Sequence, residues 1–208
     1  MDPRHPQHLR AFSYLGFHRY SLCFCTDDRR QVFTSQPPVD LVRSQILRSA
    51  SEEHFAVIVY CFMPDHLHLL VEGQAEDSDC RRFIARSKQY SGFYYTRQFG
   101  TRLWQRYGFE RVLRDSEQTF VVARYILENP VRAGLVAAIE EYPFVGSFVY
   151  SLPELIASAY TMSRQESGYS RIPHYRSKSA PSRAEWACHS PTTGRQQPVF
   201  FCSRSASF

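Results

Sequence analysis

The chain is almost without lysine: among 25 basic residues in 208, only Lys88 and Lys178 are lysine. Positive charge is therefore presented by arginine, whose planar head suits bidentate phosphate contacts. No stretch approaches the eighteen or so apolar residues that a membrane span requires. The opening residues, Met1 to Arg10, hold prolines and histidines but no apolar run of the signal-peptide kind. A cytoplasmic protein with no membrane partner is the expectation. No internal repeat is present and no CxxC pair occurs. Cysteines stand at 23, 25, 61, 80, 188 and 202, and outside a secretory setting their even number does not argue for disulfides. Cys23 and Cys25 share one face of an expected strand and read as small core residues. A metal role for them would need partners that the local sequence does not display.

What is present is unevenly distributed. Residues 163–208 carry seven basic side chains and two acidic ones, which is the whole net charge of +5; the remainder is neutral. A DNA surface on the folded body must then be a local cluster rather than a global field. The tail is rich in Ser, Arg, Pro and Gln, without apolar periodicity, and reads as disordered. Residues 1–12 read as an irregular arm, which leaves 13–162 as the folded domain.

Within that domain, Tyr14 to Thr26 reads as a strand ending at Asp27-Asp28, with a short extension at Gln31 to Thr34. Val39 to Glu53 places Val39, Val42, Ile46 and Leu47 at helical spacing. Phe55 to Met63 is nearly all apolar, as in a strand buried on both faces. Pro64-Asp65 turns the chain into a returning strand, His66 to Glu72. An acidic helix start at Glu76 to Asp79 precedes a helix to about Gln98. Arg111 to Leu113 reads as a short strand. Asp115 and Gln118 resemble a capping box for a helix that must stop near Asn129, before Pro130. A weaker helix is expected at Pro153 to Tyr160. The order β-α-β-β-α-β-α predicts an α+β, ferredoxin-like antiparallel sheet with helices on one face.

Two sites for chemistry emerge. His66 and His68 are two apart on a strand, so both imidazoles share a face and can grip one divalent ion. The alternative is two half-exposed histidines on an edge strand. In ARYILENPVRAGLV (123–136), Tyr125 and Asn129 are four apart on a helix and share its face. A phenol is a nucleophile for phosphodiesters once its proton is drawn off, and an amide oxygen can complete a metal site. Tyr90, Tyr94 and Tyr95 compete for the nucleophile's role, and spacing alone does not choose among them. The helix from Asp79 to Gln98 carries Arg81, Arg82, Arg86, Lys88 and Arg97, interleaved with these tyrosines, as a DNA-contacting surface would.

MPDHLHLL (63–70), WQ (104–105) and RYILENPVRAGLV (124–136) together resemble the IS200-like single-tyrosine transposases, in particular the REP-associated tyrosine transposases. The resemblance runs from about Phe12 to Ser147; the tail is not part of the pattern. It implies a DNA transposase or nickase acting on single-stranded or hairpin DNA. It implies that His66 and His68, with Asn129, hold Mg2+ or Mn2+, and that Tyr125 attacks and becomes joined to a 5′ phosphate. It implies a partner state that is either monomeric or a homodimer with shared sites. Two rivals stand beside it. One is an inactive or domesticated nucleic-acid-binding protein. The other is a cupin-type metalloenzyme, against which the three helical segments argue.

Overall fold

A computed structural model of the chain describes residues 13–106, 108–113 and 116–169. The strands are β1 (Arg19–Cys25), β2 (Phe55–Met63), β3 (His66–Gly73), β4 (Phe109–Leu113) and β5 (Val145–Gly146). The helices are α1 (Gln36–Glu52), α2 (Cys80–Phe99), α3 (Ser116–Leu127), α4 (Asn129–Arg132) and α5 (Leu152–Tyr169). The strands form one sheet in the order β4-β1-β3-β2-β5, every pairing antiparallel. The first four follow the ferredoxin-like arrangement, and β5 adds a two-residue edge.

Local chemistry explains the boundaries. Pro37 and Pro38 fall in the first turn of α1, where a missing N–H is not missed. Val39, Val42 and Ile46 are buried as the spacing requires, whereas Leu47 is exposed. Asp79 caps α2 by accepting from the backbone N–H groups of Arg81 and Arg82 at 2.9 and 3.1 Å. Gly100 closes that helix with φ +73°, a left-handed conformation that suits glycine. The Pro64-Asp65 turn is pinned from outside: the Asp65 carbonyl accepts from Thr26 N–H and Oγ1, and the Pro64 carbonyl from Phe33 N–H.

β3 is hydrogen-bonded to β1 on one side and β2 on the other. Leu67, Leu69 and Val71 enter the main core with Tyr20, Leu22 and Phe24 of β1, residues of α1, and Phe83 and Tyr95 of α2. α1 and α2 thus cover one face as expected. The alternate residues of β3 point to the opposite face, where α3 lies and where the His68 ring meets that of Tyr125.

Some expectations do not hold in detail. β1 is shorter than Tyr14 to Thr26, and Gln31 to Thr34 is not a strand. α3 ends at Leu127, but Pro130 does not end the helical path: Asn129 to Arg132 adds one further turn. α5 runs beyond the expected Pro153–Tyr160 and takes in 163–169, the first residues of the stretch read as tail. The arm at 1–12, the tail from 170 to 208 and the Asp115 cap lie outside the described residues. Among the described residues no helix is long and apolar enough to cross a membrane.

Gly73 ends β3 where the backbone of Gly16 crosses it. A Cβ there would stand 2.1 Å from the Gly16 carbonyl oxygen and 3.0 Å from Ser78 Cβ. Gly73→Ala is expected to destabilise the fold by roughly 1–3 kcal/mol, as overpacking does. The measure is a lower urea midpoint at unchanged m value; an unchanged midpoint would mean that the crossing yields without cost.

Candidate active site

The centre of the site is the histidine pair at the β2–β3 turn. Nε2 of His66 and Nε2 of His68 lie 3.0 Å apart, with the rings edge-to-face. His68 is only 4% exposed. Burial, followed by the nearby His66 ring and the Arg132 and Arg29 cations, holds its imidazole well below the usual histidine range. It is neutral near pH 7, the form that binds metal. The pair is therefore not on an edge strand, and His68 is not half-exposed.

His66 is held from behind. Its Nδ1 donates to Asp65 Oδ1 at 2.6 Å, which turns Nε2 toward His68. Asp65 Oδ2 in turn pairs with Arg29 Nε at 2.9 Å. Burial works against the Asp65 carboxylate, but the His66 hydrogen bond and the Arg29 cation bring its pKa below the ordinary value. A carboxylate behind a histidine fixes tautomer and ring angle, as at metal sites.

α3 brings Tyr125 to this face. Its ring stands edge-to-face to His68 with centroids 6.4 Å apart. Arg132, seven residues on, lies with Cζ 4.1 Å over the Tyr125 ring and donates to the Tyr125 carbonyl. Glu128 keeps Arg132 in place, accepting from its Nη1 at 3.1 Å while also bonding Arg124 Nε at 2.7 Å and Tyr160 Oη at 3.0 Å. Asn129 is half-buried one turn beyond Tyr125. Its Nδ2 donates to the carbonyls of Tyr125 and Ile126 at 3.1 and 3.4 Å. Pro130, four residues past Ile126, has no N–H to offer that carbonyl, and the Asn129 amide fills the gap.

Three participants were not singled out by local sequence. Local sequence marks Asp65 only as a turn residue, and Arg132 only as part of a motif. Seven-residue spacing from Tyr125 is a usable signal for Arg132. Cys23 is the third: its Sγ and ring nitrogens of His66 and His68 all lie within 4.8 Å of one another.

The separation of the two Nε2 atoms allows a fit test for a divalent ion. Two ligands bonded at about 2.1 Å sit about 3.0 Å apart across a right angle and about 3.4 Å apart on a tetrahedral ion; the observed 3.0 Å meets the first and needs a few tenths of an ångström of opening for the second. His66 and His68 therefore fit a divalent ion once the proton between their Nε2 atoms is displaced.

The basic helix looks different in place. α2 packs on the sheet face opposite the histidines. Arg82 and Arg86 pair with Glu53 at 3.2 and 2.8 Å, and Arg86 also with Glu52 at 2.9 Å. The Glu53 side chain is 2% exposed, so removing both arginines would leave a buried unpaired charge, on the order of 3–5 kcal/mol of destabilisation. Arg81 lies over the Tyr14 ring, and Arg97 is exposed beside Tyr94. Tyr90 donates to Glu52 at 2.9 Å, Tyr95 is buried and Tyr94 is exposed. All three rival tyrosines belong to α2, not to the helix that faces His68. Trp104 of the WQ motif is buried, its Nε1 bonded to Ser91 Oγ at 2.8 Å.

The chain belongs to the IS200-like transposase family, whose model matches residues 16–129, more than half of its length. It is similar to a Haemophilus influenzae (strain ATCC 51907 / DSM 11121 / KW20 / Rd) protein named as a REP-associated tyrosine transposase. The two are 26% identical over 121 residues, which is 49% of this chain and 64% of that protein. The chain thus spans slightly less than two thirds of that relative's length. The fold is similar to that of a REP-associated tyrosine transposase solved bound to a REP hairpin, with TM-score 0.56 and 21% identity over 67% of this chain and 81% of that one.

Lys88 offers a test of how far α2 is committed to structure. Its Nζ donates to the carbonyls of Gln105 and Arg106 at 2.6 and 3.2 Å. Burial, then the Arg102 cation, lowers its pKa to about 8 from 10.5. Between those values the unfolded chain holds the extra proton, so stability should rise with pH across about 8 to 10.5. Lys88→Met is expected to remove that rise, seen as a wild-type-minus-variant unfolding free energy that grows with pH. A flat difference would place the ammonium in solvent, free for phosphate.

Proposed function

We propose that this protein cleaves and rejoins single-stranded DNA at hairpins, through a covalent 5′-phosphotyrosine on Tyr125. The observation that carries this is the Tyr125 ring set 6.4 Å from that of His68, across from the histidine pair. The family supports transposase chemistry, and the hairpin bound to the structural relative supports the substrate class.

In this reading the Tyr125 oxygen attacks phosphorus and loses its proton to solvent. The bond from phosphorus to the 3′ oxygen breaks, and that oxygen leaves as a 3′ hydroxyl. Rejoining reverses the step: a 3′ hydroxyl attacks the phosphotyrosine and releases the phenol, so the phosphodiester energy is conserved. His66 and His68 would hold a divalent ion, with the amide oxygen of Asn129 as a further ligand. When bound, such an ion polarises the phosphate and offsets developing negative charge. Asp65 keeps the His66 tautomer, and Arg132 adds a cation beside the attacking ring. Arg97 is the α2 cation most open to phosphates, and Arg81 would have to leave the Tyr14 ring to join it, since Arg82, Arg86 and Lys88 pair with carboxylates or carbonyls.

The rival is a protein that binds the same DNA without cutting it. Incubation with hairpin DNA from the gene's own flanks separates the two. Wild type should yield a covalent protein–DNA adduct, and Tyr125→Phe should bring it to background while hairpin binding persists. His66→Ala should also abolish nicking with the fold retained. An adduct that survives in Tyr125→Phe but vanishes in Tyr90→Phe or Tyr94→Phe would move the nucleophile to α2. No adduct with any hairpin would favour the binding-only protein.

A further inference from the structure

One sulfur at the site has no part in this mechanism. Cys23 pairs directly with His68 across the β1–β3 ladder. Side chains opposite one another on neighbouring strands project to the same face. Its Sγ lies with ring nitrogens of His66 and His68 in a set no wider than 4.8 Å. Cys61 flanks His68 from the other side on β2, but its Sγ lies against Met63 Sδ at 3.8 Å. Cys23 and His68 are both buried, and His66 forms the more open side of the set.

We propose that Cys23 is a third protein ligand, so that this chain holds a Cys-His-His seat selective for a zinc-class ion over magnesium. The inference rests on reading His66 and His68 as metal ligands. The donor chemistry argues for it. Magnesium demands oxygen ligands and water, whereas two imidazoles and a thiolate match the preferences of Zn2+ and Co2+. Three protein ligands leave a further position for substrate, the arrangement of catalytic rather than structural sites. Binding releases the Cys23 thiol proton to solvent and moves the His68 proton from Nε2 to Nδ1, leaving one thiolate and two neutral imidazoles on the ion. A cysteine that merely fills space on this buried face would bind no metal and would tolerate replacement by alanine.

The test uses the full chain and metal alone. Titration with Co2+ should give a thiolate-to-cobalt charge-transfer absorption. Cys23→Ser should lose that band while the ligand-field bands from the histidines survive, and Cys61→Ala should keep it. Zn2+ affinity should fall in Cys23→Ser by more than the roughly 10- to 100-fold typical when a group that only orients a ligand is lost. Mg2+ affinity should change little. Cys23→Ala, checked by circular dichroism, guards against a serine-specific folding defect. If neither variant folds, the wild-type cobalt spectrum decides, and absence of the band overturns the proposal. Zn2+ affinity unchanged in a folded Cys23 variant also overturns it. If His66→Ala abolishes binding while both Cys23 variants are neutral, only Cys23 is misassigned. If His66→Ala binds as wild type does, the histidine-pair reading itself fails.

Discussion

Strand β3 is hydrogen-bonded on both sides, so its side chains must alternate between two covered faces of the sheet. Leu67, Leu69 and Val71 go to the α1/α2 core; His66 and His68 go to the side covered by α3. A slip of one residue would exchange the two sets, burying imidazoles among Phe24, Phe83 and Leu22. The apolar run of β2 and the pinned Pro64-Asp65 turn hold that register. Rigidity of the histidine pair follows from the core beneath it.

Charge is arranged around that scaffold in two separate networks. On the α1/α2 side, Glu52 and Glu53 engage Arg82, Arg86 and Tyr90, and tie the helices together. On the α3 side, Glu128 gathers Arg124, Arg132 and Tyr160, which orders the end of α3 where Tyr125 sits. Burial raises the Glu128 carboxyl, yet its bonds to Arg124 and Tyr160 prevail and lower it below the ordinary range. Arginine richness in α2 is thus largely internal pairing, which is consistent with a folded body of no net charge.

The two faces have different work. Trp104, Phe24 and Phe33 form aromatic contacts within the α1/α2 core. The opposite face gathers sulfur, imidazole, phenol and guanidinium within one small region. Cleavage of a phosphodiester by a phenol, as proposed here, uses imidazole, phenol and guanidinium side by side, and a DNA-binding module alone has no such need. That contrast is the physical ground for preferring the enzyme over the binder.

Much of this was legible locally. Period-two alternation and an apolar run locate β2 to the residue and β3 to within one. The Asp79 cap and Gly100 set α2, because capping and left-handed backbone are decided by neighbours in sequence. The His66/His68 pair and the Tyr125/Asn129 face follow from strand and helix periods in the same way. Tertiary structure alone decided the strand order, the face on which α3 lies, and the partners of the α2 arginines. It also decided that Cys23 stands opposite His68, 45 positions along the chain. These depend on register and packing between segments distant in sequence, and no local spacing encodes which cross-strand neighbour a side chain will meet.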